Sequence, residues 1–388
     1  MKILFMDWPF IGRGGVQEAF TSEGHSLISF PFEISESKFY GDEEFERSLS
    51  ETLHRETPDI VFQVNYFPVV SKVCNKEHIR YVSWIYDSPY CMLYSQTVVN
   101  PCNVIYIFDK TVYLQFHNAG ISTVYYMPLA VDTKRLDQMD RPMPLPFIYD
   151  ISFVGSLYLE KDNIYDQMCS VLPDYTKGYL DGLIAAQLKI QGYNFIEESL
   201  APIIQDLSKK VSLKSSDPYD DCMAREEYFY AQYIINKRIT AIERIDLLDA
   251  AAQRYEVDLF THYKGFCSPI LHNHGYVDYD NGMPRVFKQS KINLNITLRS
   301  IPSGIPLRAF DIMGAGGFLL SNFQADFLDL FVPGEDFVIF ESKEDFIKKI
   351  DYYLTYEDER KAIARNGHDK VAARHTLRHR IKEMLDFL

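Results

Sequence analysis

An α/β chain of two doubly wound domains is what this sequence predicts, and three observations predict it. Its 388 residues exceed one ordinary core and suit two domains with a cleft between them. Short apolar, β-rich runs alternate with helical or loop segments in two separate series, the pattern of mostly parallel sheets. Between the series lies DTKRLDQMDRPMPLPFIYD, where Pro142, Pro144 and Pro146 amid mixed charge mark a linker.

The first series opens with the run KILFM from Lys2, a glycine-rich turn at Gly12, Gly14 and Gly15, and a helical stretch from Val16. Further β-rich runs start near Leu27, Ile60, Arg80, Val104 and Thr123. The second series begins with ISFVGSLY after Asp150 and continues near Val257, Ile292, Gly317 and Phe337. These assign 1–132 to a first domain, 133–149 to a linker and 150–388 to a second domain. A helical insertion is expected over about 160–240, and the last helix is free to pack back on the first domain. The clearest unit is KINLNIT, LRSIPSG, IPLRAFDIMGAG and GFLLS: strand, loop, helix with Pro306 in its opening turn, strand. A helix opening after Ser303-Gly304 offers free N–H groups and a positive dipole end, which suits a pyrophosphate.

Composition excludes several classes. Apolar residues make up 47% and charged residues 24%, a globular balance without the signature of disorder. The formal charge of −14 argues against a nucleic-acid partner, since phosphate binding needs a basic face. One basic run, Arg360 to Lys382, has eight Lys or Arg against Asp369 alone and reads as a solvated helical face. The six cysteines are scattered without a CxxC spacing and read as buried free thiols of a cytoplasmic protein. No signal peptide and no membrane span are expected.

Several segments resemble the spore maturation protein CgeB-like family of glycosyltransferases, of the glycosyltransferase group 1 type. They are YVSWIYDSP (81–89), IFDK with YYMPLAVD (107–110 and 125–132), SFVGSLY (152–158), INLNITLRSIPSGIPLRAFDIMGAGGFLLSN (292–322) and the tail from PGEDF to ARHT (333–376). The resemblance implies a GT-B fold: two Rossmann-like domains facing a central cleft, with the nucleotide sugar on the C-terminal one and the first domain ending at PLAVD. It also implies that the nucleotide sugar is a substrate and that neither cofactor nor metal is needed. Related enzymes carry two acids, separated by seven other residues, beside the donor sugar and ribose. In this sequence the second falls on Asp311, while Ser303 stands at the first, which leaves the sugar and the stereochemical outcome open.

Candidate residues follow. Asp311 can accept hydrogen bonds from both ribose hydroxyls, or be an ordinary exposed helix acid. Arg308 is within reach of a diphosphate, or forms a surface ion pair. Ser303, Gly304 and Ile305 supply backbone donors to phosphate. Asp87 lies after the run RYVSWIY and before Ser88-Pro89, where ligands collect in parallel sheets. It is the candidate catalytic base for an attacking hydroxyl, or a turn acid. Gly14 and Gly15 resemble the turn that closes over the donor in many GT-B enzymes, or form a plain tight turn. Gly275 and Tyr276, with Tyr279, fall where family members seat the nucleobase. Asn295 is an inward strand amide and Arg244 a helix cation able to meet phosphate; Lys161 is a further cation. His272 and His274 read as loop residues, and His375 and His379 share a helix face without the Glu of a zinc motif.

The expected activity is therefore metal-independent transfer of a hexosyl or N-acetylhexosaminyl group from a nucleotide sugar, with UDP as the assumed nucleotide, to a hydroxyl of a protein or glycan. The alternatives are a GT-B sugar-nucleotide epimerase and a non-catalytic nucleotide- or glycan-binding protein.

Overall fold

The computed structural model describes residues 1–33, 35–139, 144–159, 163–210, 217, 219–265 and 270–388. Lys161 and Cys267 lie outside the described residues. The chain divides into two compact units, and each is built on one six-stranded sheet.

The sheet of the first unit contains β1 (Lys2–Asp7), β2 (Ser26–Pro31), β3 (Ile60–Val64), β4 (Arg80–Ile85), β5 (Asn103–Ile107) and β6 (Val124–Tyr126) in the order β2-β1-β3-β4-β5-β6. Every pairing is parallel. Strands covered on both faces read as continuous apolar runs, and IVFQV and NVIYI are buried at every position. Helix Glu43–Glu56 begins where Asp42 accepts a hydrogen bond from the Phe45 N–H at 2.9 Å, with three acids in its first turn.

The sheet of the second unit contains β7 (Tyr149–Val154), β8 (Val257–Phe260), β9 (Leu271–Asn273), β10 (Ser290–Asn295), β11 (Leu319–Asn322) and β12 (Val338–Phe340). Its order is β12-β11-β10-β7-β8-β9, again all parallel. Counted from the unit's own first strand, this is the doubly wound order 3-2-1-4-5-6, and its topological switch point lies between β7 and β10. The core gathers inward residues of β7, β8, β10 and β11 with those of helices Asn236–Ala252 and Lys343–Thr355.

Several sequence expectations need correction. Gly14 and Gly15 are not the turn: the helix already starts at Arg13, and Gly12, at φ 80°, carries the left-handed residue that a side chain would disfavour. The linker opens with helix Thr133–Gln138, capped by Asp132, and this helix belongs to the second unit. The described residues of 212–226 belong to the first unit, where Asp217 accepts the Tyr40 N–H at 2.8 Å and Met223 donates to the Tyr94 carbonyl at 2.9 Å. Residues 377–388 also belong to it, in agreement with the expectation for the last helix. Arg380 donates to the Pro128 carbonyl at 3.0 Å, and Tyr106 to that of Met384 at 3.1 Å.

His272 lies in β9, not in a loop, because Leu271 needs a strand to bury it. His375 ends one helix and His379 belongs to the next, Leu377–Asp386, so they share no face. Among the described cysteines only Cys74 is buried; the other four are half-buried. Nor is the basic run wholly solvated, for Arg360 and Arg380 are 2% and 4% exposed. No helix among the described residues is long and apolar enough to cross a membrane.

Candidate functional site

Parallel strands place their C-terminal ends on one edge, and side chains from the following loops converge there. In the second unit β7 runs out into Gly155-Ser156 and β10 into Ile296-Thr297. Arg244, from helix Asn236–Ala252, spans the switch point between them. Its Nε donates to the Ile296 carbonyl at 3.0 Å and its Nη1 to the Ser156 carbonyl. The guanidinium also lies over the rings of Phe153 and Tyr158, at 5.3 and 5.0 Å. Burial lowers its pKa, and the positive charge of Arg308 lowers it further.

Arg308 is the second residue of helix Leu307–Gly314, which opens at Pro306, three residues later than the Ser303-Gly304 turn suggests. Its guanidinium lies 5.6 Å from the Phe287 ring, touches Met283 through Nη1 and approaches the Asp311 carboxylate at 3.8 Å. Nε and Nη2 make no hydrogen bond among the described residues. Desolvation depresses its pKa as well, opposed by Asp311 and Tyr279.

Asp311 faces inward on that helix, 6% exposed, so the ordinary surface acid is not what the fold contains. Tyr279 donates its hydroxyl to Oδ1 at 2.8 Å. Desolvation raises the carboxyl pKa to about 6 against the lowering influence of Arg308, Tyr279 and Arg135. The result is a buried carboxylate and two desolvated guanidiniums at one end of one sheet, a set that marks a candidate site.

The other donor-side candidates divide. Ser303, Gly304 and Ile305 are buried; the Ser303 carbonyl accepts the Asp326 N–H at 3.1 Å, and Ser303 and Gly304 have further partners in the protein. Asn295 spends both amide hydrogens inside the sheet edge, on Thr297 at 3.0 Å and Ser321 at 2.9 Å, and so shapes the edge. Gly275 adopts φ 82° with its N–H on Asn273 at 2.9 Å, and exposed Tyr276 stacks on His262 at 4.3 Å.

Sequence reasoning missed Glu243 and Arg299. Both are under 10% exposed, and they form a two-toothed ion pair, Nε and Nη2 to the two carboxylate oxygens at 2.9 and 2.7 Å. Arg299 also accepts at its carbonyl from Asn194 at 2.8 Å and donates its N–H to Thr240 at 2.9 Å. The loop after β10 is thereby fastened to the helical insertion. Beside it a six-residue π-helical segment, Tyr230–Ile235, turns the Gln232 carbonyl toward the Ser300 hydroxyl. The signal was present in LRSIPSG, an Arg within a loop of small residues, but its partner lies 56 positions upstream.

In the first unit Asp87 follows β4. Its Oδ2 accepts from the Asn65 amide at 2.7 Å, while the same amide's oxygen accepts the Tyr86 and Asp87 N–H groups at 2.8 and 3.3 Å. Asn65, which follows β3, adopts φ 62°, a left-handed conformation that Asn tolerates. The carboxyl remains exposed, yet the protein around it raises its pKa, desolvation outweighing the Asn65 hydrogen bond; solvent contact limits the size of that rise. Gly14 and Gly15 sit in the first turn of helix Arg13–Ser22, and Arg13 clamps Asp7 at the end of β1, at 2.7 Å.

Comparison with known proteins agrees with this architecture. Residues 244–386 match the family model described as glycosyl transferase-like, which spans the Arg244, Arg308 and Asp311 cluster. No curated protein matches the chain in sequence. Among solved structures, a glycosyltransferase from Rickettsia africae ESF-5 aligns with a TM-score of 0.53 at 10% identity over 100% of this chain and 97% of that one. Sucrose-phosphate synthase from Thermosynechococcus elongatus aligns with a TM-score of 0.55 at 8% identity, over 100% and 98%. Anabaena Alr3699/HepE in complex with UDP-glucose aligns with a TM-score of 0.52 at 11% identity, over 100% of both chains. At such identities the likeness establishes the fold: this chain has the two-sheet GT-B fold of glycosyltransferases, with a glycosyl transferase-like domain over residues 244–386.

Proposed function

We propose that this protein is a glycosyltransferase of the CgeB-like kind, which moves a sugar from a nucleoside diphosphate sugar to a hydroxyl of a protein or glycan. The observation that carries the reading is the pair of desolvated guanidiniums, Arg244 and Arg308, at the switch point of the second sheet, with buried Asp311 beside them. Two buried guanidiniums against the one carboxylate of Asp311 leave a positive excess, which costs free energy unless a further anion completes the set. A diphosphate supplies that charge, and the ribose hydroxyls supply donors for Asp311. Neighbours of the same fold were solved with UDP-glucose or UDP, which supports UDP as the first nucleotide to try.

In the proposed reaction the acceptor hydroxyl attacks the anomeric carbon. The bond from that carbon to the phosphate oxygen breaks, and the diphosphate leaves with the electron pair. Arg308, with Arg244 behind it, stabilises the charge that develops on the leaving group, the part a metal plays in other transferases, so activity should survive chelation. Asp87 takes the acceptor's proton; its raised pKa brings it nearer the range of a useful base, and Asn65 holds it in place.

The test is incubation with uridine, guanosine, cytidine and thymidine nucleotide sugars, with and without candidate acceptors. Transfer predicts nucleotide release in proportion to acceptor and a glycosylated product. Interconversion of sugars with no acceptor present would instead identify an epimerase and contradict the proposal.

A further inference from the structure

The same βαβ unit carries a cavity at its other end. Ser290 and Lys291 open β10, Phe318 precedes β11 and Phe147 precedes β7, so this is the N-terminal edge of the sheet, opposite the edge that holds Arg244. The cavity measures about 310 Å³, at the small end of ligand pockets, where roughly 300–1,000 Å³ is usual.

Its charge is unlike that of the rest of the chain. Lys288, Lys291, Arg360, Lys361, Arg365 and His368 line it, against Asp137 alone. Asp137 is held by His368 at 2.9 Å; Lys291 pairs with Asp150 at 2.6 Å and Lys361 with Glu357 at 2.6 Å. His368 also meets Asp369 at 3.3 Å; five full cations against these four acids still leave a positive excess, on a protein of net charge −14. Arg365 is exposed and has no ion pair or hydrogen bond among the described residues. The buried Lys288 donates to the Ala315 carbonyl at 3.0 Å, where helix Leu307–Gly314 presents its negative end. Arg360 and Lys361 flank the exposed ring of Phe147, at 5.8 and 6.0 Å.

We propose that this cavity binds a phosphorylated small molecule, whose phosphoryl group meets Arg365, Lys291 and Lys361 and whose apolar or planar part lies on Phe147. One face of helix Glu357–Arg374 supplies 360, 361, 364, 365 and 368, which gives three cations of the basic run, Arg360, Lys361 and Arg365, a place other than a solvated face. The site is separate from that of the donor: helix Leu307–Gly314 lies between them, with Arg308 near its start and Ala315 at its end, about 10 Å apart at 1.5 Å per residue. Through Lys288 a ligand there touches the far end of the helix that carries Asp311. The inference stands without sugar transfer, since it rests on this cavity alone.

The experiment is calorimetric titration of inorganic phosphate and pyrophosphate into the full chain at fixed ionic strength. Wild-type protein, the double variant Lys291→Ala/Arg365→Ala and the donor-side variant Arg308→Ala are compared. The proposal expects affinity to fall at least about tenfold in the double variant and to stay within about twofold in Arg308→Ala. The reverse pattern places the probe in the donor site and overturns the proposal while leaving the proposed function intact. No binding in the millimolar range, equal loss in both variants, or equal competition by chloride also overturns it. Should the double variant melt early, Lys361→Ala, at an exposed helix position, gives the same reading.

Discussion

Each unit has an aspartate beyond a strand end, and the two share a raised pKa and little else. Asp311 is buried, with Arg308 and Tyr279 beside it, and belongs to a cluster of opposed charges. Asp87 is exposed and its carboxylate is held by one neutral amide, that of Asn65. A carboxylate in a cationic cluster is suited to hold a polar ligand, whereas one left facing solvent with a single neutral partner is suited to accept a proton. In the proposed function the difference fits binding by the second unit and proton transfer by the first.

The sharpest way to break that comparison is Asp87→Asn. This change keeps the shape and removes the proton acceptor, so transfer should fall about 100- to 10,000-fold with donor affinity and thermal midpoint near wild type. If Asp87 only orients the acceptor, the Michaelis constant for acceptor rises and turnover stays. Wild-type turnover with a normal midpoint would remove Asp87 from the site.

Arg308→Ala addresses the second unit. Each charge-assisted hydrogen bond lost is worth about 1.5–3 kcal/mol, so donor affinity should drop by roughly 10- to 100-fold, measured by calorimetry. Unchanged affinity would break the link between desolvated guanidiniums and the diphosphate.

Asp311→Asn should separate stability from binding. Because the carboxyl pKa rises on folding from 3.8 to about 6, the native state holds a proton in that window that the unfolded chain has released. Stability from this group therefore grows as pH falls through the window, and above it the charged form costs on the order of 1–3 kcal/mol. Asn removes that cost, so the variant should melt a few degrees higher at pH 7 while binding donor more weakly. A lower midpoint would mean that the Arg308 ion pair outweighs desolvation. The smallest effect is on pH itself: wild-type donor affinity should decline below about pH 6, where Asp311 protonates, and the Asn variant should lose that dependence.

Much of this was legible in the sequence, because parallel strands buried on both faces announce themselves as apolar runs; IVFQV and RYVSWI begin and end where the runs do. β9 escaped notice since only Leu271 of its three residues is buried. Arg308 and Asp311 could be found because they lie on one helix beside a readable loop. Glu243 and Arg299 could not, since their pairing is made by tertiary packing across the insertion. The basic run from Arg360 was visible as charge, but the cavity it lines requires the starts of β7, β10 and β11 to be brought beside it.

The most direct test is donor binding by matched preparations of wild type, Arg308→Ala and Asp311→Asn, each titrated with the uridine, guanosine, cytidine and thymidine nucleotide sugars. The account predicts that at least one sugar nucleotide binds wild type and raises its midpoint by mass action, and that both variants bind it at least about tenfold more weakly while remaining folded. A nucleotide sugar bound equally by all three proteins, or none bound by wild type, would contradict it.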